Sequence, residues 1–139
     1  MKRFFSIIIC IILLTSCKQK ITQKDILKMN GYWEIEKVIL TDGEEKKYKI
    51  NETIDYFQIK DNQGFRKKVK PQLDGKYTVN DQKEEIKIIE KEEHFFIYYI
   101  TPYGKWTEEI LEITDAQLVL KNQQNLEYHY KKPIPFSLK

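Results

Sequence analysis

Turn-forming residues recur along most of this chain and divide it into short apolar runs. After Gly31 a turn signal follows about every ten residues, and the intervening runs are rich in Ile, Val, Tyr and Phe. The pattern predicts consecutive antiparallel strands in a barrel or sandwich. The predicted strands are 33 to 40, 54 to 60, 64 to 70, 75 to 79, 84 to 90, 94 to 101, 105 to 113, 117 to 121 and 126 to 131, with a weak one at 46 to 50.

Alternation within these runs predicts which side chains are buried, because residues two apart project to the same side of a strand. The run 94 to 101 is apolar on both faces. Its second face is therefore either covered by a partner strand or available as a contact surface. The predicted core residues are Trp33, Ile35, Phe57, Ile59, Tyr77, Val79, Ile86, Ile88, Phe96, Tyr98, Ile100, Leu118, Leu120, Leu126, Tyr128 and Tyr130.

One short helix is predicted before the first strand. Thr22 is placed as its N-cap, and Asp25, three residues later, resembles the acidic member of a capping box. Asn30 and Gly31 supply a left-handed stop. We therefore predict a helix over residues 23 to 29.

The first sixteen residues are typical of a secretion signal. Lys2 and Arg3 are followed by an apolar run from Phe4 to Leu14, which is well short of the roughly 20 residues of a membrane-spanning helix. The sequence Leu-Thr-Ser-Cys that ends at Cys17 resembles the lipobox of bacterial lipoproteins. In that family the signal is cut before the cysteine, which then carries fatty acyl chains such as palmitate.

The lipobox resemblance implies three segments: a signal peptide at 1–16, a lipidated tether at 17–21 and one domain at 22–139. Two or more acyl chains would hold the domain on a membrane stably. The alternative is an ordinary signal followed by a free Cys17, which has no disulfide partner because Cys10 lies within the signal. Lys18 replaces the aspartate associated with inner-membrane retention, so the resemblance implies the outer membrane and leaves the leaflet open.

The charge of the domain gives no indication of nucleic-acid binding. Residues 1 to 16 contain two of the 24 basic residues and none of the 21 acidic residues, so the rest of the chain has a net charge near +1. A nucleic-acid-binding domain is usually strongly basic. We therefore expect no nucleic-acid partner.

The stretch Gly-Tyr-Trp-Glu-Ile-Glu-Lys-Val, which begins at Gly31, is similar to the G-x-W signature of lipocalins. The resemblance covers residues 21 to 132 and extends to the lipocalin-like domains of small bacterial lipoproteins. It implies an all-β fold, an antiparallel up-and-down barrel of 8–10 strands with a short N-terminal helix, in which Trp33 packs across the closed end. Lipocalins place an arginine against this tryptophan, and here Lys131 or Lys132 would replace it.

The sequence contains no evident catalytic or metal-binding group. His94 and His129 lie on predicted strands and are expected at the surface, and zinc needs three or four clustered ligands. Glu108 and Glu109 are adjacent on a strand and so face opposite sides. We expect neither an enzyme nor a metal or other cofactor.

The strand 64 to 70 carries charges on both faces. Arg66 and Lys68 share one face, whereas Phe65 and Val69 share the other with Lys67 between them. If the apolar pair points inward, Lys67 enters the interior and needs a carboxylate such as Glu108, or an anionic ligand, to offset desolvation. In the alternative arrangement Lys67 reaches solvent at a twisted edge.

The function predicted from these features is non-catalytic binding of a small apolar ligand, inside the barrel or at its mouth. The alternative is a filled barrel that binds another protein through its loops or its aromatic strand, as an envelope-complex subunit or a periplasmic inhibitor would. The expected partners are thus a membrane, through Cys17, and either a small hydrophobic ligand or an envelope protein. The candidate ligand-lining residues are Phe57, Tyr77, Phe96, Tyr98 and Lys67.

Overall fold

The computed structural model describes residues 20–49, 51–79 and 82–134. Cys17 and the signal segment lie outside the described residues. Within them there is no helix long and apolar enough to cross a membrane. A 3-10 helix, Asp25–Met29, precedes ten strands. The strands are β1 (Gly31–Ile39), β2 (Glu45–Lys47), β3 (Ile54–Lys60), β4 (Gln63–Pro71), β5 (Tyr77–Val79), β6 (Glu84–Lys91), β7 (His94–Thr101), β8 (Gly104–Ile113), β9 (Gln117–Asn122) and β10 (Glu127–Lys131).

Eight of these strands close into an antiparallel barrel. Their order is β1, β3, β4, β6, β7, β8, β9 and β10, and β10 returns to pair with β1. The short strands β2 and β5 pair with β1 and β4 beside the barrel wall. The predicted fold class is confirmed, and so are the strand positions, because the turn residues mark where each hairpin reverses.

The helix covers one end of the barrel, which we call the closed end. Asn30 attaches it to β3, since its side-chain amide donates to the Ile59 carbonyl at 3.1 Å and accepts from the Ile59 N–H at 2.6 Å. The helix is shorter than predicted and Thr22 is not its N-cap, although the Thr22 N–H donates to Asp25 Oδ2 at 2.8 Å. Gly31, not Asn30, has the positive φ, of 115°.

Trp33 lies at this closed end and is fully buried. Its indole N–H donates to the Met29 carbonyl at 2.8 Å, which joins the first strand to the helix. The ammonium of Lys132 lies 3.9 Å from the ring centroid, so Lys132 is the one of the two expected lysines that lies against Trp33. A Cβ at Gly31 would lie 3.4 Å from the Lys132 Nζ, and the φ of 115° disfavours a side chain there.

The core includes most of the predicted positions, but β7 is reversed. Phe95, Ile97 and Tyr99 point inward, whereas Tyr98 is 36% exposed on the outer face. The hairpin before β7 sets this register, because it pairs Lys91 with His94 and thereby Ile88 with Ile97. The predicted inward set Phe96, Tyr98 and Ile100 is therefore wrong. Val79 is also wrongly placed, since it is 47% exposed on β5.

All residues of the main core cluster lie between Ile26 and Tyr130, and Ile21 packs against it. A chain that begins at Lys18 therefore contains the whole core. Such a chain should fold as the barrel on its own.

Replacing Trp33 by alanine should lower the free energy of unfolding by about 3–5 kcal/mol, because it leaves a cavity and removes the link to the helix. The measurement is urea unfolding of residues 18–139. The control is Tyr103→Ala, since Tyr103 is 98% exposed and its loss should change stability by less than about 0.5 kcal/mol. Equal effects of the two substitutions would contradict the assigned role of Trp33.

Candidate functional site

The end of the barrel opposite the helix is its mouth. It is bounded by the turns at 40 to 44, 102 to 103 and 123 to 126, which connect β1 to β2, β7 to β8 and β9 to β10. Two clefts open there and share Arg66, Lys68 and Trp106 as lining residues. They therefore adjoin at these side chains and form one continuous surface.

The two clefts differ in chemistry. The amide cleft, of about 340 Å³, is lined on its other side by Asn122, Gln123, Gln124, Glu108 and Tyr128. The lysine cleft, of about 650 Å³, is lined by Lys83, Glu84, Lys105, Tyr103 and Pro102. Both volumes fall within the range of about 300–1,000 Å³ in which proteins bind small molecules.

Beneath the clefts lies a charged network centred on Arg66, which is buried. Its Nε atom donates to Glu84 Oε2 at 2.7 Å, and its Nη1 atom lies 3.6 Å from Glu108 Oε1. Nη1 also lies 4.0 Å from Asp55 Oδ2. Its guanidinium carbon is 4.4 Å from the ring centroid of Tyr99. One cation is thus shared by three carboxylates.

Lys68 supplies the second cation of the network. Its ammonium ion-pairs with Asp55 Oδ1, and the carboxylate itself is only 2% exposed. The rest of the Lys68 side chain borders the clefts, where about half of the side chain remains exposed. The mouth therefore has a floor in which buried charges are paired.

Strand register explains why these groups meet. On β3, Asp55, Phe57 and Ile59 point inward, and β4 places Lys68 opposite Asp55 and Arg66 opposite Phe57. On the next strand, β6, Glu84 lies opposite Arg66. The network is therefore built from cross-strand neighbours.

Of the two arrangements considered for Lys67, the structure has the one in which it lies outside, because Arg66 and Lys68 occupy the inner face. Lys67 lies outside, with its ammonium 5.5 Å from the ring centroid of Phe65. Glu108 does point inward, as the partner of Arg66 and not of Lys67. Near the start of the same strand, the backbone of β3 comes so close to Gly64 that no side chain fits. A Cβ there would lie 1.7 Å from the Gln58 carbonyl oxygen.

The other candidate lining residues do not converge on one cavity. Phe57 is fully buried in the core, whereas Tyr77 stacks on Tyr32 outside the barrel at 4.1 Å. Phe96 and Tyr98 lie on the outer face of β7. A cavity lined by these four side chains is therefore not formed.

The two histidines make surface contacts. His94 Nδ1 lies 2.6 Å from Glu109 Oε1, and His129 Nε2 lies 3.1 Å from Glu127 Oε2. Glu108 and Glu109 face opposite sides, as predicted. The described residues contain no group of three or more His, Cys, Asp or Glu side chains placed to hold a metal.

Sequence reasoning missed Asp55, Glu84, Tyr99 and Trp106 as site residues. The sequence does contain a signal for Asp55. It lies two residues before Phe57, which is expected to point inward, so both side chains project to the same side of the strand. No comparable signal marks Glu84, whose inward position follows only from its pairing with Arg66. Trp106 stacks on Tyr99 with centroids 5.1 Å apart, which joins the cleft wall to the network.

Burial changes the acid–base properties of the network. Burial raises the pKa of Glu108, and the Tyr99 hydroxyl and Arg66 oppose this effect only in part. Burial also raises the pKa of Tyr99 and that of Tyr130. Burial would lower the pKa of Arg66, but Tyr99, Asp55 and Glu84 raise it overall, so the guanidinium stays charged.

The buried Glu108 makes a pH-dependent contribution to stability. Because its pKa in the folded protein exceeds the ordinary value of 4.5, the folded state retains the proton more strongly than the unfolded state. Stability from this group is thus present below pH 4.5 and is lost as the pH rises through the folded pKa. Relative to Glu108→Gln, the native protein should lose stability over that range, with a slope of at most about 1.4 kcal/mol per pH unit.

Urea unfolding of both proteins at a series of pH values measures this difference. The control is Glu36→Gln, which changes an exposed carboxylate on the outer side. A plot of its free energy of unfolding against pH should run parallel to the plot for the native chain. If the difference in stability between the native chain and the Glu108→Gln variant is constant from about pH 4 to about pH 7, the assigned effect of burial is contradicted.

The sequence matches the model of the lipocalin-like domain over residues 29–120. A lipocalin-like protein from Bacteroides uniformis is structurally similar, with a TM-score of 0.50, 17% identity, and 76% of this chain and 99% of that chain covered. A protein from Bacteroides eggerthii gives a TM-score of 0.47 at 15% identity, with 76% and 99% covered.

Apocrustacyanin C2 gives a TM-score of 0.48 at 14% identity, with 84% of this chain and 67% of that chain covered. No curated protein matches the sequence. The family match spans well over half of the chain, and the closed eight-stranded barrel agrees with it. The chain therefore belongs to the lipocalin-like domain family.

Proposed function

We propose that this protein is a non-catalytic binding protein that takes up a small ligand at the mouth of its barrel. The observation that carries the proposal is the pair of adjoining clefts around Arg66, Lys68 and Trp106. Membership of the lipocalin-like family supports it, because members are typically non-enzymatic binding proteins. The clefts offer an aromatic wall at Trp106 and many polar groups that can fix the orientation of a ligand.

The ligand binds at the mouth because the barrel beneath is occupied. Trp33, Phe57 and Ile97 are fully buried and fill the half near the helix. Above them lies the Arg66 network, which would have to be disrupted to admit an apolar chain. Breaking such a pair leaves an uncompensated buried charge, which typically costs about 3–5 kcal/mol.

The second candidate function is protein binding through the outer face of β6 and β7. Ile89 is 42% and Tyr98 36% exposed there, and Phe96 lies opposite Ile89. Exposed apolar side chains that adjoin in this way are typical of contact surfaces. This surface lies outside the barrel, so it can be tested separately from the mouth.

The test is native mass spectrometry of residues 18–139 before and after incubation with a cell-envelope extract. We expect a reproducible added mass of small-molecule size, which Trp106→Ala abolishes because it removes the wall shared by both clefts. The matched variant Tyr98→Ala, on the outer face, should retain it. Loss in Tyr98→Ala with retention in Trp106→Ala, or capture of a protein alone, would contradict binding at the mouth.

We further propose that lipid on Cys17 anchors the domain to the outer membrane. Lys20 lies at the closed end, where its ammonium is 3.0 Å from Glu93 in the β6–β7 turn. Three peptide units connect Cys17 to Lys20 and span at most about 11 Å. In this arrangement the closed end lies near the lipid surface and the mouth opens away from it.

The anchor proposal predicts that the full chain fractionates with membranes and incorporates a radiolabelled fatty acid. Cys17→Ser should abolish incorporation and prevent normal cleavage of the signal. The control is Cys10→Ser, since Cys10 lies within the signal and should leave both unchanged. Labelling that persists in Cys17→Ser would contradict the proposal.

A further inference from the structure

The lysine cleft at the mouth carries an excess of positive charge. Its described charged residues are four cations and one carboxylate: Arg66, Lys68, Lys83, Lys105 and Glu84. From this composition, and on the basis of the proposed ligand-binding function, we propose that the mouth selects small molecules that combine a flat aromatic group with an acidic group. Lys83 and Lys105 recognise the acid, and Trp106 contacts the ring.

Two of the four cations are already neutralised by the protein. Arg66 donates to Glu84 at 2.7 Å, and Lys68 ion-pairs with the buried Asp55. Lys83 and Lys105 differ, because neither is paired with a carboxylate among the residues that the structure describes. The Lys83 ammonium lies 5.5 Å from the ring centroid of Phe65, on the outer side of β4, so it has to turn from this ring towards the cleft to meet an acid. An acidic ligand could therefore contact both lysines without displacing an existing ionic partner.

The aromatic part of the ligand has a rigid wall to pack on. One face of the Trp106 ring is held by Tyr99, with an interplanar angle of 12° and centroids 5.1 Å apart. The Arg66 guanidinium in turn lies 4.4 Å from the Tyr99 centroid. This stack fixes Trp106 before a ligand arrives, and preorganisation of this kind favours binding.

Tyr103 adds a second aromatic group at the rim. It lies at the tip of the β7–β8 turn and is 98% exposed, and it lines the same cleft as Trp106. An exposed aromatic ring that adjoins a cleft can cover a bound ring and release water from both surfaces. The cleft, of about 650 Å³, is large enough for a bicyclic acid and its substituents.

The position of the excess charge also determines how such a ligand would approach. Lys83 and Lys105 are exposed and line the cleft, whereas the two cations of the floor, Arg66 and Lys68, are paired with carboxylates. A cleft lined mainly by one sign of charge attracts ligands of the opposite sign and raises their association rate. Binding should therefore weaken as the ionic strength rises.

A matched pair of fluorescent probes tests the inference on residues 18–139. One is 8-anilinonaphthalene-1-sulfonate, and the other is N-phenyl-1-naphthylamine, which has the same rings without the acid. We expect the sulfonate probe to bind about tenfold more tightly. The double variant Lys83→Gln/Lys105→Gln should weaken its binding about fivefold to tenfold, because two exposed ionic contacts are lost, and should leave the neutral probe unchanged.

The control is the double variant Lys60→Gln/Lys91→Gln, which removes the same charge from exposed lysines outside the mouth. It should leave the binding of both probes unchanged. Trp106→Leu should weaken the binding of both probes, which would support the position assigned to the aromatic ring of the ligand, against Trp106. Near-ultraviolet circular dichroism of each variant verifies that the barrel is intact.

The outcomes separate this inference from the proposed function. Equal binding of the two probes, both weakened by Trp106→Leu, would overturn the selection of acids and support ligand binding at the mouth. The selection of acids would also be overturned if both lysine double variants weakened binding of the sulfonate probe equally. The net charge of the protein alone would then explain the effect. Binding of neither probe would count against both proposals. Displacement of the sulfonate probe by 1-naphthoate or 1-naphthyl phosphate would support the selection of acids and identify the preferred acid.

Discussion

The pairing of Arg66 inside the barrel is the constraint on which the mouth depends. A buried guanidinium is tolerated only when carboxylates and hydrogen-bond acceptors surround it. Here the acceptors come from three different strands, with Glu84 on β6, Asp55 on β3 and Glu108 on β8. A slip of one residue in any of these strands would turn its carboxylate to the outer face. The network therefore opposes alternative registers as well as neutralising the charge.

The network also divides the barrel into two parts with different roles. Towards the helix the interior is apolar and closed by Trp33, whose indole N–H is satisfied by Met29 at 2.8 Å. Towards the mouth the inward positions include the charged groups of the network, and the exposed part of Lys68 connects the floor to the clefts. The turns at the mouth are largely exposed and lie outside the core, so they can vary in chemistry without loss of the core.

The sequence predicted the barrel because turn chemistry fixes where hairpins reverse, and β3 was predicted with its observed bounds. The prediction for the faces of β7 is wrong, because both faces of this run are apolar and alternation cannot tell the inner face from the outer one. The site was missed for a related reason. On β4, cationic residues occupy 66, 67 and 68, and only pairing with Asp55 and Glu84 determines which of them enter the barrel.

The raised pKa of Glu108 links the floor of the mouth to its proposed selectivity. Burial favours the protonated form of this carboxyl, and in that form the remaining charges of the floor form two pairs, Arg66 with Glu84 and Lys68 with Asp55. The floor is then neutral, and the excess positive charge among the described lining residues is confined to the rim. In the protonated form Glu108 does not oppose the attraction of an acidic ligand to the rim lysines. Burial, which raises the pKa of this carboxyl, thus extends to higher pH the range in which the entrance attracts acids without that opposition.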